Sequence, residues 1–109
     1  MIRHIVMWSF LEQAEGADKK ANMSKIREAL LALRPIIPEI LEMEIGEDIG
    51  IGRDTWDMVL ITCFADAQAL NVYQNHPAHK AVSAFVAKVR QNRACVDFTI
   101  PPRLGPSIR

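Results

Sequence analysis

The sequence predicts an α+β domain with the element order β-α-β-β-α-β, folded as a four-stranded antiparallel sheet with both helical regions on one face. Four segments carry apolar residues with the period of two that is typical of strands, and two regions carry them at spacings of three and four. The chain has 109 residues, which is the length of one domain. Turn and cap residues separate these segments and give the order of the elements.

The first half of the chain supplies one strand and one helix. Residues 2–10 alternate as a strand that is apolar on both faces. A polar loop follows, and Asp18 is a suitable N-cap for an amphipathic helix over residues 19–34. Pro35 and Pro38 end this helix because proline lacks the N–H that the helical ladder needs. The apolar stripe of the helix consists of Met23, Ile26, Leu30 and Leu33.

The second half supplies three strands and a broken helical region. The strands are predicted over residues 39–46, 56–64 and 93–100, with a glycine-containing loop over 46–54. Asp66 is a suitable cap for a short helix that carries Leu70 and Tyr73 on one side. Pro77 breaks that helix and begins the next one. The domain therefore covers residues 1–100, and residues 101–109, with three prolines and a glycine, are predicted to form an extended tail.

The strands over residues 2–10 and 56–64 are apolar on both faces, whereas the helices cover one face of the sheet. The uncovered apolar face requires a partner, and a second copy of the same sheet related by a two-fold axis is the simplest one. The sequence therefore predicts a homodimer.

Charge and composition exclude several classes of partner. The chain has 13 basic and 13 acidic residues, so it lacks the basic surplus that neutralises nucleic-acid phosphates or anionic membranes. No apolar run approaches the ~18–20 residues that span a bilayer. Cys63 and Cys95 lie in apolar strands and are expected to be free thiols. No secretory signal pattern is visible, so the expected compartment is the cytoplasm.

The chemistry is concentrated in the segment from Tyr73 to His79, which holds the only tyrosine and two of the three histidines. Counting back along the stripe from Val89 places His79 on the buried face of its helix, near the N-terminus, where the helix dipole disfavours a protonated ring. Tyr73 lies on the inward face of the preceding helix. His4 shares a strand face with Val6 and Trp8. If this face meets the helices, the three polar groups converge in one apolar layer, as in a small-molecule site.

Other interpretations of these residues remain open at this point. Each histidine could be a hydrogen-bonded core residue, and His76 could simply cap the helix that begins at Pro77. A metal site on His76 and His79 is disfavoured because Pro77 separates them and no further ligand lies nearby. Gly46, Gly50 and Gly52 do not form a phosphate-binding pattern, and no serine has the partners of a hydrolase triad. The sequence therefore predicts neither a metal nor a cofactor.

Several segments together resemble the stress-responsive A/B barrel domain (Dabb) family over about residues 1–100. They are the opening Ile2-Arg3-His4-Ile5-Val6-Met7-Trp8-Ser9-Phe10, the turn Ile37-Pro38-Glu39-Ile40, the Tyr73–His79 segment ending in His-Pro-Ala-His, and the closing Val96-Asp97-Phe98. The resemblance implies a ferredoxin-like fold that forms a dimeric α+β barrel.

The resemblance also implies two functions. The first is a stress-associated homodimer that is non-catalytic or binds a small ligand. The alternative is a cofactor-independent cyclase or isomerase of the olivetolic acid cyclase type, acting on a small hydrophobic carbonyl compound. In that case His79 is the base, Tyr73 polarises a carbonyl and His4 lines the pocket. The expected pocket wall consists of Val6, Trp8, Thr62, Leu70 and Val82. Haem-linked chemistry, known in other dimeric α+β barrels, has no candidate axial ligand here.

Overall fold

The computed structural model describes residues 1–100, and the predicted tail over residues 101–109 lies outside the described residues. The strands and helices, in chain order, are β1 (Ile2–Phe10), β2 (Gln13–Ala14), β3 (Ala17–Asp18), α1 (Lys19–Leu31), β4 (Glu42–Glu47), β5 (Met58–Phe64), α2 (Ala67–Asn75), α3 (Pro77–Val89) and β6 (Arg90–Thr99).

The main sheet has four antiparallel strands in the order β4-β5-β1-β6. Apart from the short pair β2 and β3, this is the predicted order of elements, and the α+β ferredoxin-like fold is confirmed. β1 lies in the interior of the sheet, where His4 faces Thr62 of β5 on one side and Asp97 of β6 on the other. The register therefore brings residues from both ends of the chain to one part of the sheet.

Helices and sheet enclose the core on one face of the sheet. The β1 residues buried there are His4, Val6, Trp8 and Phe10. The predicted apolar stripe is buried too, with Met23, Ile26 and Leu30 in α1 and Leu33 in the turns that follow it. Asp18 and Asp66 cap α1 and α2 as predicted, since their carboxylates accept hydrogen bonds from the backbone N–H groups of Ala21 and Ala69.

The opposite face of the sheet is largely apolar, with Arg3, Glu42 and Glu44 also bordering it, and it lacks cover within residues 1–100. It presents alternate residues of the four strands, among them Ile5 and Ile61 in the interior and Val96 and Phe98 on the edge strand β6. Val96 is 54% exposed and Phe98 is 39% exposed. A monomer would leave these side chains in water.

Several predicted boundaries were wrong by a few residues. The helix predicted to reach residue 34 ends at Leu31 and continues as turns, because Pro35 disfavours the helical conformation of Arg34 before it. β4 begins at Glu42, after a turn in which Ile40 N–H donates to the Ile37 carbonyl. β6 begins at Arg90, directly after α3, instead of at residue 93.

Two further differences lie near the end of β1. β5 begins at Met58 instead of residue 56, and the carboxylate of Asp57, just before it, accepts a hydrogen bond from Phe10 N–H at 2.7 Å. The predicted loop over residues 12–18 contains the small hairpin of β2 and β3. Its turn residues Glu15 and Gly16 have positive φ angles of 49° and 76°, which suit a tight two-residue hairpin turn.

No helix among residues 1–100 has the length and apolar character needed to cross a membrane.

Candidate functional site

A cavity of about 300 Å³ lies between the helical layer and the sheet. It is partly open to solvent, and its walls combine apolar and polar groups. The apolar part of the wall includes Val6, Trp8, Leu60, Val82 and Val86. The polar part consists of His4, Tyr73, Gln74, His79, Ser83, Arg90 and Arg93.

Tyr73 lies on the inward face of α2, where its side chain is 0% exposed. Its ring packs against Phe64 with a centroid distance of 4.9 Å and against His79 with a centroid distance of 4.3 Å. Its hydroxyl is buried and has no hydrogen-bond partner among residues 1–100. Burial raises the pKa of Tyr73 to about 12, so the phenol stays protonated at neutral pH and can act only as a neutral donor or acceptor.

His79 lies in the first turn of α3 and is half-buried. Its Nδ1 atom is 3.2 Å from the backbone oxygen of Gln74. A carbonyl oxygen only accepts hydrogen bonds, so this bond places the ring proton on Nδ1 and leaves Nε2 as a proton acceptor. Burial lowers the pKa of His79, and the charges of His4, Arg93 and His76 lower it further, against an opposing effect of the Gln74 bond. His79 is therefore a neutral base at pH 7.

His4 is 2% exposed and lies across the cavity from α3, with its ring centroid 6.2 Å from that of Tyr73. Its Nδ1 atom is hydrogen-bonded to the carboxylate of Asp97 on the neighbouring strand β6. This carboxylate fixes the orientation of the ring and holds a proton on Nδ1, as carboxylates do for many buried histidines. His4, Tyr73 and His79 are thus brought together around one cavity.

His76 has a different role from the other two histidines. It is the N-cap of α3, and its Nδ1 atom accepts a hydrogen bond from Ala78 N–H at 3.0 Å. Pro77 occupies the first turn of the helix, as predicted. His76 is therefore a capping residue that does not line the cavity, which makes it a useful comparison for His79.

Some of the residues predicted to form the pocket wall line this cavity, and others do not. Val6, Trp8 and Val82 line it, and Trp8 bounds the space without filling it. Thr62 and Leu70 do not line it. The Thr62 hydroxyl is engaged within the sheet, where it donates to the His4 carbonyl at 3.3 Å, and Leu70 packs into the hydrophobic core. Sequence alternation gives the face of a residue and leaves open which part of that face borders a cavity.

Sequence reasoning missed Asp97, Gln74, Arg90 and Arg93. Asp97 could have been found by aligning the first and last strands as antiparallel neighbours, because it lies opposite His4. Arg90 is the first residue of β6 and Arg93 lies three residues further along the strand, and nothing in the sequence distinguishes them from surface arginines.

Cys95 lies next to the His4–Asp97 pair, and one donor atom of each residue falls within 4.8 Å of the others. Burial and the Asp97 carboxylate raise the pKa of the Cys95 thiol, which stays protonated and is then a poor metal ligand. The Arg93 guanidinium beside the thiol adds a positive charge that repels a cation. The three side chains are better explained as the hydrogen-bonded support of His4.

Fold and site define a ferredoxin-like α+β domain with a small-molecule-sized cavity and convergent phenol and imidazole groups. The sequence model of the family described as "Stress responsive A/B Barrel Domain" (Dabb) matches residues 2–100, and the chain belongs to this family. The resemblance proposed from the sequence is therefore confirmed. A comparison with curated proteins found no match.

Solved structures of similar fold include dimeric proteins. A dimeric ferredoxin-like protein of unknown function from Bacteroides fragilis is 29% identical, with a TM-score of 0.81 over 91% of this chain and 95% of that chain. A dimeric ferredoxin-like protein of unknown function from Thermobifida fusca is 25% identical, with a TM-score of 0.78 over 91% and 90%. A hydroxynitrile lyase from Passiflora edulis is 18% identical, with a TM-score of 0.80 over 95% and 96%, which is a likeness of fold alone.

Proposed function

We propose that this protein is a cofactor-independent acid–base enzyme that acts on a small carbonyl compound and works as a homodimer. The observation that carries the proposal is the Tyr73 hydroxyl, which is fully buried at the cavity wall without a hydrogen-bond partner among the described residues. An unpaired buried hydroxyl costs about 1–3 kcal/mol. A bound carbonyl oxygen would supply the missing acceptor and recover this cost.

The proposed reaction begins with removal of a proton next to the carbonyl group. The Tyr73 hydroxyl donates a hydrogen bond to the carbonyl oxygen, while Nε2 of His79 takes the proton from the adjacent carbon. The resulting enolate is stabilised by the phenol, which is most effective as a donor where water is excluded. In a substrate with a carbon–carbon double bond next to the α-carbon, return of the proton from His79 to the far end of the conjugated system gives isomerisation. In a substrate with a second carbonyl group, attack of the enolate carbon on that group forms the new carbon–carbon bond, and the resulting alkoxide takes the proton back from His79, which completes cyclisation. His4, held by Asp97, positions the ligand.

Access to the phenol requires a local movement. The hydroxyl oxygen is shielded from solvent, so a ligand atom reaches it only when a side chain at the cavity wall changes rotamer. The ring of His79 packs on Tyr73 and is half-buried, with one hydrogen bond to the Gln74 backbone. Side-chain rotamer changes of this kind are common on ligand binding.

A second copy of the chain is the proposed partner of the uncovered sheet face. This face is apolar across three strands, from Ile61 through Ile5 to Val96, and burial of such a surface is the main driving force for association. The dimeric relatives from Bacteroides and Thermobifida support this assignment. The cavity lies on the other face of the sheet, so each protomer would carry its own site.

A non-catalytic homodimer that binds a small ligand is the second candidate. The observation that favours it is the same shielding of the Tyr73 hydroxyl, because a catalytic donor usually stands open to its substrate. The Passiflora hydroxynitrile lyase illustrates that this fold can carry an enzyme, without bearing on this chain's reaction. Proton exchange separates the two candidates, since ligand binding alone does not exchange carbon-bound hydrogen.

The test follows α-hydrogen exchange of a neutral ketone, 6-oxoheptanamide, in D2O by NMR. We expect the protein to accelerate exchange above buffer, and His79→Gln and Tyr73→Phe each to lower the rate by about 100-fold. His76→Asn is the matched control, because asparagine is also a good N-cap and His76 lies outside the cavity. Its effect on the pKa of His79 is the smallest of those named above, so the variant should change the exchange rate little. Exchange at the buffer rate, or undiminished exchange by His79→Gln, would refute the enzyme proposal and favour the ligand-binding one.

A further inference from the structure

The charged side chains that line the cavity are basic. Arg90 and Arg93 line it together with the three groups already described, and no carboxylate is present among the residues between 1 and 100 that form its wall. Neither arginine has an acidic partner within 4.0 Å in the described part of the chain. The nearby Asp97 is engaged with His4. The cavity therefore offers two guanidinium groups without an internal anion to satisfy them.

The fold holds the backbones of both arginines at one end of the cavity. Arg90 is half-buried where α3 passes into β6, and Arg93 lies opposite Trp8 in the register of β1 and β6. His4, by contrast, lies opposite Asp97 further along the same strands. His4 and Trp8 are four residues apart on β1, which is about 13 Å along a strand. Although the backbones of the arginines lie at the Trp8 end, the Arg93 guanidinium lies beside the Cys95 thiol, which is 3.7 Å from His4 Nδ1, and its charge acts on His79. The basic groups and the acid–base groups therefore border the same space.

Resting on the proposed function, we propose that the substrate is an oxo acid, whose carboxylate binds Arg90 and Arg93 while its carbonyl group meets Tyr73 and His79. Guanidinium groups match a planar carboxylate in paired, charge-assisted hydrogen bonds. Such bonds hold the carboxylate and thereby fix the position of the carbonyl group in the same molecule, which is how a non-reacting substrate group contributes to orientation. The phenol supplies a buried, unpartnered donor, and the arginines supply the charge that selects the ligand.

The test compares the binding of 6-oxoheptanoate with that of its neutral amide, 6-oxoheptanamide, by calorimetry and by the fluorescence of Trp8, with Trp56→Phe removing the second tryptophan. We expect the acid to bind at least tenfold more tightly at low salt. The preference should vanish in the double variant Arg90→Gln/Arg93→Gln. Lys88→Gln, in the last turn of α3 and outside the cavity, removes a like charge nearby and should keep the preference.

Equal binding of acid and amide by the wild type would overturn the inference, as would a preference that survives in the double arginine variant. Failure of both compounds to bind at 20 mM would overturn it too. The proposed function is tested separately, because its exchange assay uses the neutral amide. Exchange of the amide without preference for the acid refutes the oxo-acid inference alone, and preference for the acid without exchange refutes the catalytic proposal alone.

Discussion

Replacement of Tyr73 by phenylalanine should make the protein more stable and less active. The substitution removes one oxygen atom and keeps the ring, which packs against Phe64 and His79 at centroid distances of 4.9 and 4.3 Å. In most proteins the loss of a buried hydroxyl costs stability because a partner is left unpaired. Here the hydroxyl has no partner among the described residues, so its removal relieves a penalty and breaks no bond.

The size of the effect follows from the burial of the hydroxyl. A buried hydroxyl without a hydrogen bond costs about 1–3 kcal/mol, and the small void left by the oxygen offsets part of the gain. We therefore expect the free energy of unfolding of Tyr73→Phe to rise by about 1 kcal/mol, which raises the melting temperature by about 4 °C in a domain of this size. Exchange activity should fall by about 100-fold in the same variant.

The assay is thermal and urea unfolding at fixed protein concentration, because dimerisation makes the melting temperature concentration-dependent. Tyr73→Leu is the comparison, since it removes the ring together with the hydroxyl. Its free energy of unfolding should fall by about 2 kcal/mol or more. Stabilisation together with loss of activity is the expected signature of a group retained for function. If Tyr73→Phe were destabilised by 1 kcal/mol or more with unchanged exchange, the hydroxyl would be structural and the reasoning would fail.

Four further predictions concern the pH dependence of activity, the pH dependence of stability, the support of His4 and assembly. The exchange rate should rise with pH through a midpoint below 6.5, because burial lowers the pKa of His79. Above this midpoint the rate should stay level until the pH approaches about 12, where Tyr73 ionises. A midpoint above 6.5 would exclude His79 as the base. Since the unfolded chain binds the His79 proton more tightly, the contribution of this residue to stability should decline as the pH falls below 6.5, and His79→Gln should reduce this dependence in urea titrations. Asp97→Ala should lower the free energy of unfolding by about 1–3 kcal/mol, because it leaves the buried Nδ1–H of His4 without its acceptor; unchanged unfolding would show that the bond is dispensable. Ile61→Glu puts a charge on the uncovered sheet face and should give a monomer in analytical ultracentrifugation. Glu42→Gln, at the edge of that face, should stay dimeric. A dimeric Ile61→Glu variant would show that the interface lies elsewhere.

Local sequence patterns were sufficient for most of the architecture. The alternation over residues 2–10, the stripe from Met23 to Leu33 and the aspartate caps each depend on neighbours within one element, and all are present in the structure. The closeness of Tyr73 and His79 was also predictable, because six residues and one proline separate them. These are short-range features, which propensity and periodicity describe well.

The remaining features depend on contacts between distant parts of the chain. The bond between His4 and Asp97 joins residues 93 positions apart, and it follows from the register of two strands that the sequence does not specify. Cys95 was expected to be buried in an apolar strand, yet it is exposed because β6 is the edge strand. Arg90 directly follows α3 and is the first residue of β6, three residues before the predicted start, and it lines the cavity together with Arg93.

The most direct test of the account is the carbonyl stretching frequency of a bound ketone, measured by isotope-edited infrared difference spectroscopy with 6-oxoheptanoate labelled with 13C at the ketone carbon. A hydrogen bond from the Tyr73 hydroxyl should shift this band to lower frequency in the wild type than in Tyr73→Phe, with His76→Asn unchanged from the wild type. The same frequency in wild type and Tyr73→Phe, at saturating ligand, would contradict the account, because the phenol would then not contact the carbonyl oxygen.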